Sequence, residues 1–347
     1  MKRPDPVYSQ APDFPRPLGT AGWELRASHD DADVDTMRAA IEQDLSGGVD
    51  GLLIDRSDHL EQRLEGVDLG AVAVSLHANP GESAEALLEL DPEAGCLGLD
   101  PIGSYARKQL LDVESALTAL PAAVEASRPG LRPLCIDTGL YEHAGASDAQ
   151  AIALALGTAA DMLRAAGAEL LQGTEVRLRL RPTLFGSIAR LRALRLCWAR
   201  LAEVAGTEAP LFAHVRPSLR WLTLQDPHVN LLRNTVVVTA GALGGADAIT
   251  SLRLESVLGA ELSRRVARNT QLVLRDEAHL DAVRDPAGGS YAVESRTLEL
   301  AEAAWSLFQE LEEGGGLVRA LSEGRVARWV HASAEQEAQA LSAGELA

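Results

Sequence analysis

The chain has 347 residues, of which 46% are hydrophobic, so it can bury one large α/β core or two smaller ones. Its 50 acidic and 32 basic residues give a formal net charge of −18, and a surface of that charge repels nucleic acid and anionic membranes. Charged residues or glycines interrupt the apolar runs, so we expect no membrane span and a cytoplasmic protein.

The absence of several sequence motifs excludes the enzyme classes that depend on them. The sequence lacks a P-loop, an HExxH motif, a CxxC motif and the glycine fingerprint of a dinucleotide-binding turn. Cys96, Cys135 and Cys197 are odd in number, widely spaced and set in apolar segments. This pattern is typical of buried reduced thiols rather than of disulfides or a zinc site. We therefore predict that the chain binds no metal.

The N-terminal segment differs from the rest of the chain. Residues 1–20 contain five prolines and show no periodic apolar pattern. We therefore predict an extended arm over residues 1–22, of the kind that often holds a partner.

From residue 33 onward, helical and strand patterns alternate. A helix is predicted from Asp33 to the glycine pair at residues 47–48, and a later helix behind an Asp226–Pro227 start signal. The predicted strands cover residues 49–56, 71–78, 96–100, 132–138, 175–181, 211–216 and 247–254. Strands separated by helices pair in parallel, and seven or eight such units favour a closed (β/α)₈ TIM-type barrel, with an open doubly wound sheet as the alternative.

After residue 261 the pattern becomes entirely helical. One helix places an apolar face toward the barrel, formed by Leu298, Ala301, Trp305, Phe308 and Leu311, and ends at three consecutive glycines. We divide the chain into the arm, a barrel over residues 23–295, and C-terminal helices over residues 296–347 that pack on it.

Charged side chains in the strands are expected to point into the bore, because the outer face of a barrel strand is buried under helices. In the strand at 175–181, alternation sends Arg177, Arg179 and Arg181 inward. The other residues predicted to point inward are Asp55, Asp100, Asp137, Phe212, His214 and Arg216. A buried guanidinium is costly unless it is paired, so the bore holds either an internal ion network or a site for a carboxylate or phosphate.

Four ordered blocks, residues 143–167, 188–201, 225–250 and 264–295, resemble the substrate-binding barrel of the methylmalonyl-CoA mutase family. The segment "CLGLDPIGSYAR" at 96–107 resembles the small subunit of that family. The resemblance implies a (β/α)₈ barrel through which acyl-CoA passes, working with adenosylcobalamin in a radical rearrangement of a carbon skeleton. It also implies that "DPAGGSY", residues 285–291, is a structural bend beside the barrel.

This sequence departs from the family at the positions that carry chemistry. Leu140 stands where catalytic members have a histidine that hydrogen-bonds the thioester, and His143 is the nearest candidate to replace it. The substrate-contacting strand patterns are matched at Arg177 and His214, while Arg179 and Arg216 replace a serine and a glutamine. These four residues are the substrate-binding candidates.

The cobalamin-binding signature of the family, Asp-x-His-x-x-Gly, is matched only at residues 226–231, without its glycine. We therefore expect adenosylcobalamin to act through a partner chain and not to be bound by this chain alone.

Three hypotheses about function remain open. The first is a non-catalytic, small-subunit-like component of a heterodimeric isomerase, with a plugged bore and a catalytic large subunit as its partner; the isolated chain would be inactive. The second is an active acyl-CoA mutase barrel that works with a separate cobalamin-binding chain. The third is a stand-alone binding or regulatory protein that uses the inward arginines for a small anion. The sequence favours the first, because it explains Leu140, Arg179 and Arg216 together.

Overall fold

A closed barrel of parallel strands organises the protein. The computed structural model describes residues 22–79, 81–125 and 130–344, and in these residues eight strands pair in chain order, with β8 pairing back onto β1. The strands are β1 (Glu24–His29), β2 (Gly51–Ile54), β3 (Ala73–Leu76), β4 (Gly95–Leu99), β5 (Leu131–Asp137), β6 (Thr174–Leu180), β7 (Phe212–Pro217) and β8 (Ala248–Thr250). The (β/α)₈ prediction is confirmed and the open sheet is excluded.

Helices alternate with the strands and continue after β8. They are α1 (Val34–Ser46), α2 (Leu60–Arg63), α3 (Glu82–Glu89), α4 (Pro101–Ala106), α5 (Val113–Glu125), α6 (Gly139–His143), α7 (Asp148–Ala166), α8 (Leu184–Val204), α9 (Val229–Leu243), α10 (Glu255–Leu258), α11 (Ala260–Leu272), α12 (Tyr291–Glu313), α13 (Leu317–Ser322) and α14 (Arg325–Ser342). Among the helices of the described residues, none combines the length and the apolar character needed to cross a membrane.

Strand β1 was not predicted, and the predicted start of α9 was wrong by two residues. The β1 segment "ELRASH" carries Glu24, Arg26 and His29 in six residues, so it lacks the apolar run that marks the other strands. Helix α9 begins at Val229, whose N–H donates to the carbonyl of Asp226 at 3.1 Å. Asp226 therefore belongs to a turn before the helix rather than to its cap.

The core lies between the barrel and its outer helices. Helix α7 is buried along residues 151–162, and α12 packs against both α7 and α8. The predicted face of α12 is confirmed: Ala301, Phe308 and Leu311 are buried, and Leu298 and Trp305 pack against the same cluster. The three cysteines are buried free thiols, as predicted.

The segment "DPAGGSY" forms a turn that leads into α12. The N–H of Gly288 donates to the Asp285 carbonyl at 2.9 Å, and Gly289 has φ of 79°, a left-handed conformation that glycine adopts without strain. Arg192 on α8 fixes the turn through Asp285 at 3.2 Å and Glu294 at 2.8 Å. This turn is the structural bend expected from the sequence.

The predicted N-terminal arm lies outside the described residues, apart from Gly22. The division of the chain at residues 22 and 295 stays a prediction.

Candidate functional site

A layer of charged residues fills the middle of the bore. It consists of Arg26 on β1, Glu175 and Arg177 on β6, and His214 on β7, each at most 1% exposed. Both carboxylate oxygens of Glu175 accept from Nη1 of Arg26, at 2.9 and 2.8 Å, and Oε1 accepts from Nε of Arg177 at 2.6 Å. We call these four residues the central layer.

The electrostatics of the central layer favour a charged carboxylate. Burial alone would raise the pKa of Glu175, but the guanidinium groups of Arg26 and Arg177 outweigh burial and hold that pKa well below its usual range. Burial lowers the pKa of His214 to about 3, so its ring is neutral at pH 7. Because a carboxylate only accepts, the ring donates from Nδ1 to Glu175 at 3.2 Å and accepts the Thr250 hydroxyl at Nε2, at 2.8 Å.

Two pockets lie on either side of the central layer. The lower pocket, at the amino ends of the strands, has a volume of about 690 Å³ and contains Arg132, whose guanidinium stacks 3.4 Å from the ring centre of Phe212. The upper pocket, at the carboxyl ends, has a volume of about 520 Å³. The two pockets share no lining residue, and Glu175, Arg177 and His214 line neither. The four side chains of the central layer, each at most 1% exposed, therefore separate the two pockets within the described residues.

The upper pocket contains two of the predicted inward arginines. Arg179 and Arg216 are register partners on β6 and β7, and both line the pocket. Nη2 of Arg179 lies 3.5 Å from Oδ2 of Asp137, and Nη1 of Arg216 lies 3.8 Å from Oδ1 of Asp55. Burial opposes ionisation of both aspartates, yet the arginines facing them hold the pKa of each carboxyl below its usual value.

Two predicted members of the bore network lie elsewhere. Arg181 follows the last residue of β6, so strand alternation no longer directs it, and it pairs with Asp148 at 3.4 Å and with Glu337 of α14 at 2.9 Å. Asp100 caps α4 by accepting the Gly103 N–H at 2.9 Å, and its ion pair is with Arg107 at 3.3 Å. Burial raises the pKa of Asp100 to about 6.

Short helix α6 carries the positions expected for catalysis. Leu140 is half-buried against the main hydrophobic core, and its side chain contains no hydrogen-bond donor. His143, at the end of α6, is exposed and lines the rim of the upper pocket. Although the side chain is exposed, the neighbouring atoms partly desolvate its ring, and this desolvation and the nearby charge of Arg179 lower its pKa. An ion pair between Glu142 and Arg190, at 2.8 Å, anchors the helix to α8.

Several residues of the bore were not predicted from the sequence. Glu175, the centre of the network, has the same strand parity as Arg177 and Arg179, so alternation would have found it. Arg26 was missed because β1 was not recognised. His77, just after β3, lies 3.9 Å from both Asp55 and Asp137 and lines the upper pocket, and only its position at a strand end could have marked it.

Comparisons with known proteins identify relatives of this chain. A sequence model of the family described as Methylmalonyl-CoA mutase matches residues 27–347. The chain is 39% identical to the methylmalonyl-CoA mutase small subunit of Streptomyces virginiae, over 88% of this chain and 54% of that protein. It is 36% identical to the methylmalonyl-CoA mutase small subunit of Propionibacterium freudenreichii subsp. shermanii, over 92% of this chain and 54% of that protein.

A more distant relative is the methylmalonyl-CoA mutase of Escherichia coli (strain K12), which is 30% identical over 58% of this chain and 30% of that protein. The chain spans about half the length of the two small subunits that it matches.

Proposed function

Because the chain belongs to the methylmalonyl-CoA mutase family, we propose that it is a small-subunit-like, non-catalytic component of an adenosylcobalamin-dependent acyl-CoA mutase. In this role it supports a larger catalytic subunit in a cytoplasmic heterodimer, and the isolated chain is inactive as an isomerase. The observation that carries the proposal is the closed central layer around Glu175.

The central layer is costly to open. A pantetheine chain passing along the axis would have to separate Glu175 from Arg26 and Arg177, all fully buried. Breaking a buried ion pair and leaving one partner unpaired costs about 3–5 kcal/mol. A thioester would need to offset that cost before any catalytic contact formed.

The residues at the upper end of the axis support the same proposal. Leu140 provides no hydrogen bond for a thioester carbonyl. Arg179 and Arg216 are larger than the serine and glutamine expected from the family pattern, and both side chains are directed into the upper pocket. In this proposal Arg177 and His214 fill the bore, Arg179 and Arg216 narrow the upper pocket, and none of the four contacts acyl-CoA.

The described residues do not fit a cobalamin site. Residues 226–231, the nearest match to the family signature, form the approach to α9, where His228 is exposed at the helix start and Leu231 replaces the glycine. We propose that adenosylcobalamin reaches the complex on a partner chain.

The second candidate function is an active mutase barrel paired with a separate cobalamin-binding chain. One observation favours it: His143 lines the upper pocket, where a thioester carbonyl would have to lie. The exposed position of His143 at the rim argues against this second candidate, because a catalytic hydrogen bond is strongest where water is excluded.

The test is a reconstitution assay with methylmalonyl-CoA and adenosylcobalamin. The chain is purified alone, with a full catalytic large subunit, and with a cobalamin-binding chain only. We expect isomerisation only in the mixture with the large subunit. Turnover in the mixture with the cobalamin-binding chain alone, lost on His143→Ala, would overturn the proposal and establish the second candidate.

A further inference from the structure

Two arginines lie side by side on adjacent strands at the floor of the upper pocket. Arg179 and Arg216 are register partners, so their side chains leave the sheet side by side on the same face. Like charges directly opposite each other destabilise a strand pair. Burial is the main cause that lowers the pKa of Arg216 to about 10, and repulsion by the positive charge of Arg179 adds to it.

The carboxylate facing Arg216 is committed elsewhere. Asp55 lies 3.8 Å from Nη1 of Arg216, beyond hydrogen-bond distance, and accepts the Ser28 hydroxyl at 2.5 Å through its other oxygen. In the central layer, by contrast, the ion pairs of Glu175 are 2.6 and 2.8 Å long. Arg216 therefore keeps donors that are directed into the pocket.

The carboxylate facing Arg179 is shared in the same way. Oδ1 of Asp137 accepts the Gly139 N–H at 2.9 Å, while Oδ2 faces Arg107 at 3.7 Å and His77 at 3.9 Å as well as Arg179 at 3.5 Å. Nε of Arg179 is buried with no hydrogen-bond partner among the described residues. Neither arginine of the pair is fully satisfied by its aspartate.

The remaining lining groups can complete an anion site. His77 and Ser251 also line the pocket, and the buried Ser251 hydroxyl, which has no hydrogen-bond partner in the described residues, can donate to an anion. Arg253 pairs with both acidic rim residues, Asp30 and Glu255, and so offsets part of their negative charge.

We infer that the upper pocket binds a small free anion, a phosphate or a short carboxylate, held between Arg179 and Arg216. Guanidinium groups recognise both of these anions through paired N–H donors. The pocket volume of about 520 Å³ accommodates such a ligand with water, and the central layer closes its floor, so the ligand enters and leaves from the upper face. This inference does not depend on the proposed mutase role.

Calorimetric titration of the full chain tests the inference. Inorganic phosphate and succinate are titrated separately at constant ionic strength, set with sodium chloride. We expect saturable binding of at least one of them in the wild-type chain. A preference for phosphate identifies a phosphoryl ligand, and a preference for succinate identifies a carboxylate.

Variants of Arg216 locate the binding. Arg216→Gln is expected to weaken binding at least about tenfold, since it removes a charge-assisted contact. Arg216→Lys is expected to weaken binding less than Arg216→Gln, because lysine keeps the positive charge but lacks the paired N–H donors of a guanidinium. This variant also tests the site if the glutamine variant does not fold. The matched control is Arg296→Gln on α12, whose side chain is 60% exposed.

Two results would overturn the inference. One is no saturable heat for either anion up to about 10 mM, well beyond the concentration range of a specific site. The other is an affinity that both Arg216 variants leave unchanged.

Discussion

Replacing Glu175 with glutamine removes the carboxylate that joins the two arginines of the central layer. Among the described residues, Arg177 then has no carboxylate within salt-bridge distance and Arg26 retains only Glu24, at 2.5 Å. The new amide also turns an NH₂ group toward a donor nitrogen of one arginine. Since a cation left buried without its partner costs about 3–5 kcal/mol, we expect Glu175→Gln to lower the free energy of unfolding by that amount.

Urea denaturation followed by circular dichroism measures this loss. With a urea dependence of about 3 kcal/mol per molar, the midpoint should fall by roughly 1–2 M. The matched control is Glu299→Gln on α12, whose side chain is 66% exposed and which should change the free energy of unfolding by less than about 0.5 kcal/mol.

A double variant separates charge pairing from a general packing defect. Glu175→Gln combined with Arg177→Met removes both charges of the closest pair, and replacing both partners of a buried pair is close to neutral. We expect the double variant to recover much of the stability that the single variant loses. A single-variant loss below about 1 kcal/mol, or a double variant less stable than the single one, would refute the reasoning.

Three further predictions follow from other parts of the structure. The pKa of Asp100 is raised to about 6 in the folded state, so the folded protein binds more protons than the unfolded chain between roughly pH 4 and 6, and the contribution of Asp100 to stability is lost as pH rises through this range. In urea titrations at several pH values, Asp100→Asn should remove about 2–3 kcal/mol of this change in the free energy of unfolding. An unchanged dependence of that free energy on pH would contradict the prediction. Leu311→Ala on α12 should lower the free energy of unfolding by about 2–5 kcal/mol, whereas Leu341→Ala, at a side chain 47% exposed, should cost far less; equal losses would argue against a shared core. In the complex with the large subunit, His143→Ala should leave the isomerase rate within about twofold, and a loss of a hundredfold or more would assign it a catalytic role.

Strand alternation made most of the barrel predictable. The β6 pattern placed Arg177 and Arg179 in the bore because apolar side chains on the opposite face pack under the helices. The rule failed for Arg181 because this residue lies beyond the end of the strand. Alternation could not reveal β1. The side chains of β1 that face the bore are polar, so this segment lacks the apolar pattern that identifies a strand.

The pairing of charges was harder to predict than their direction. Asp100 was expected to face the strand arginines. It caps α4 instead, and Arg107, the residue at the other end of this short helix, pairs with its carboxylate. Which acid meets which arginine depends on register and on loop geometry, and neither can be read from residue spacing. The proposed function therefore rests on both the family relationship and the observed geometry of the bore.

The most direct test of the closed bore is a crystal structure of the chain grown with methylmalonyl-CoA. We predict that Glu175 remains in contact with Arg26 and Arg177 and that electron density along the axis stops at the floor of the upper pocket. A pantetheine chain running between the upper and lower pockets, with those contacts broken, would contradict the account.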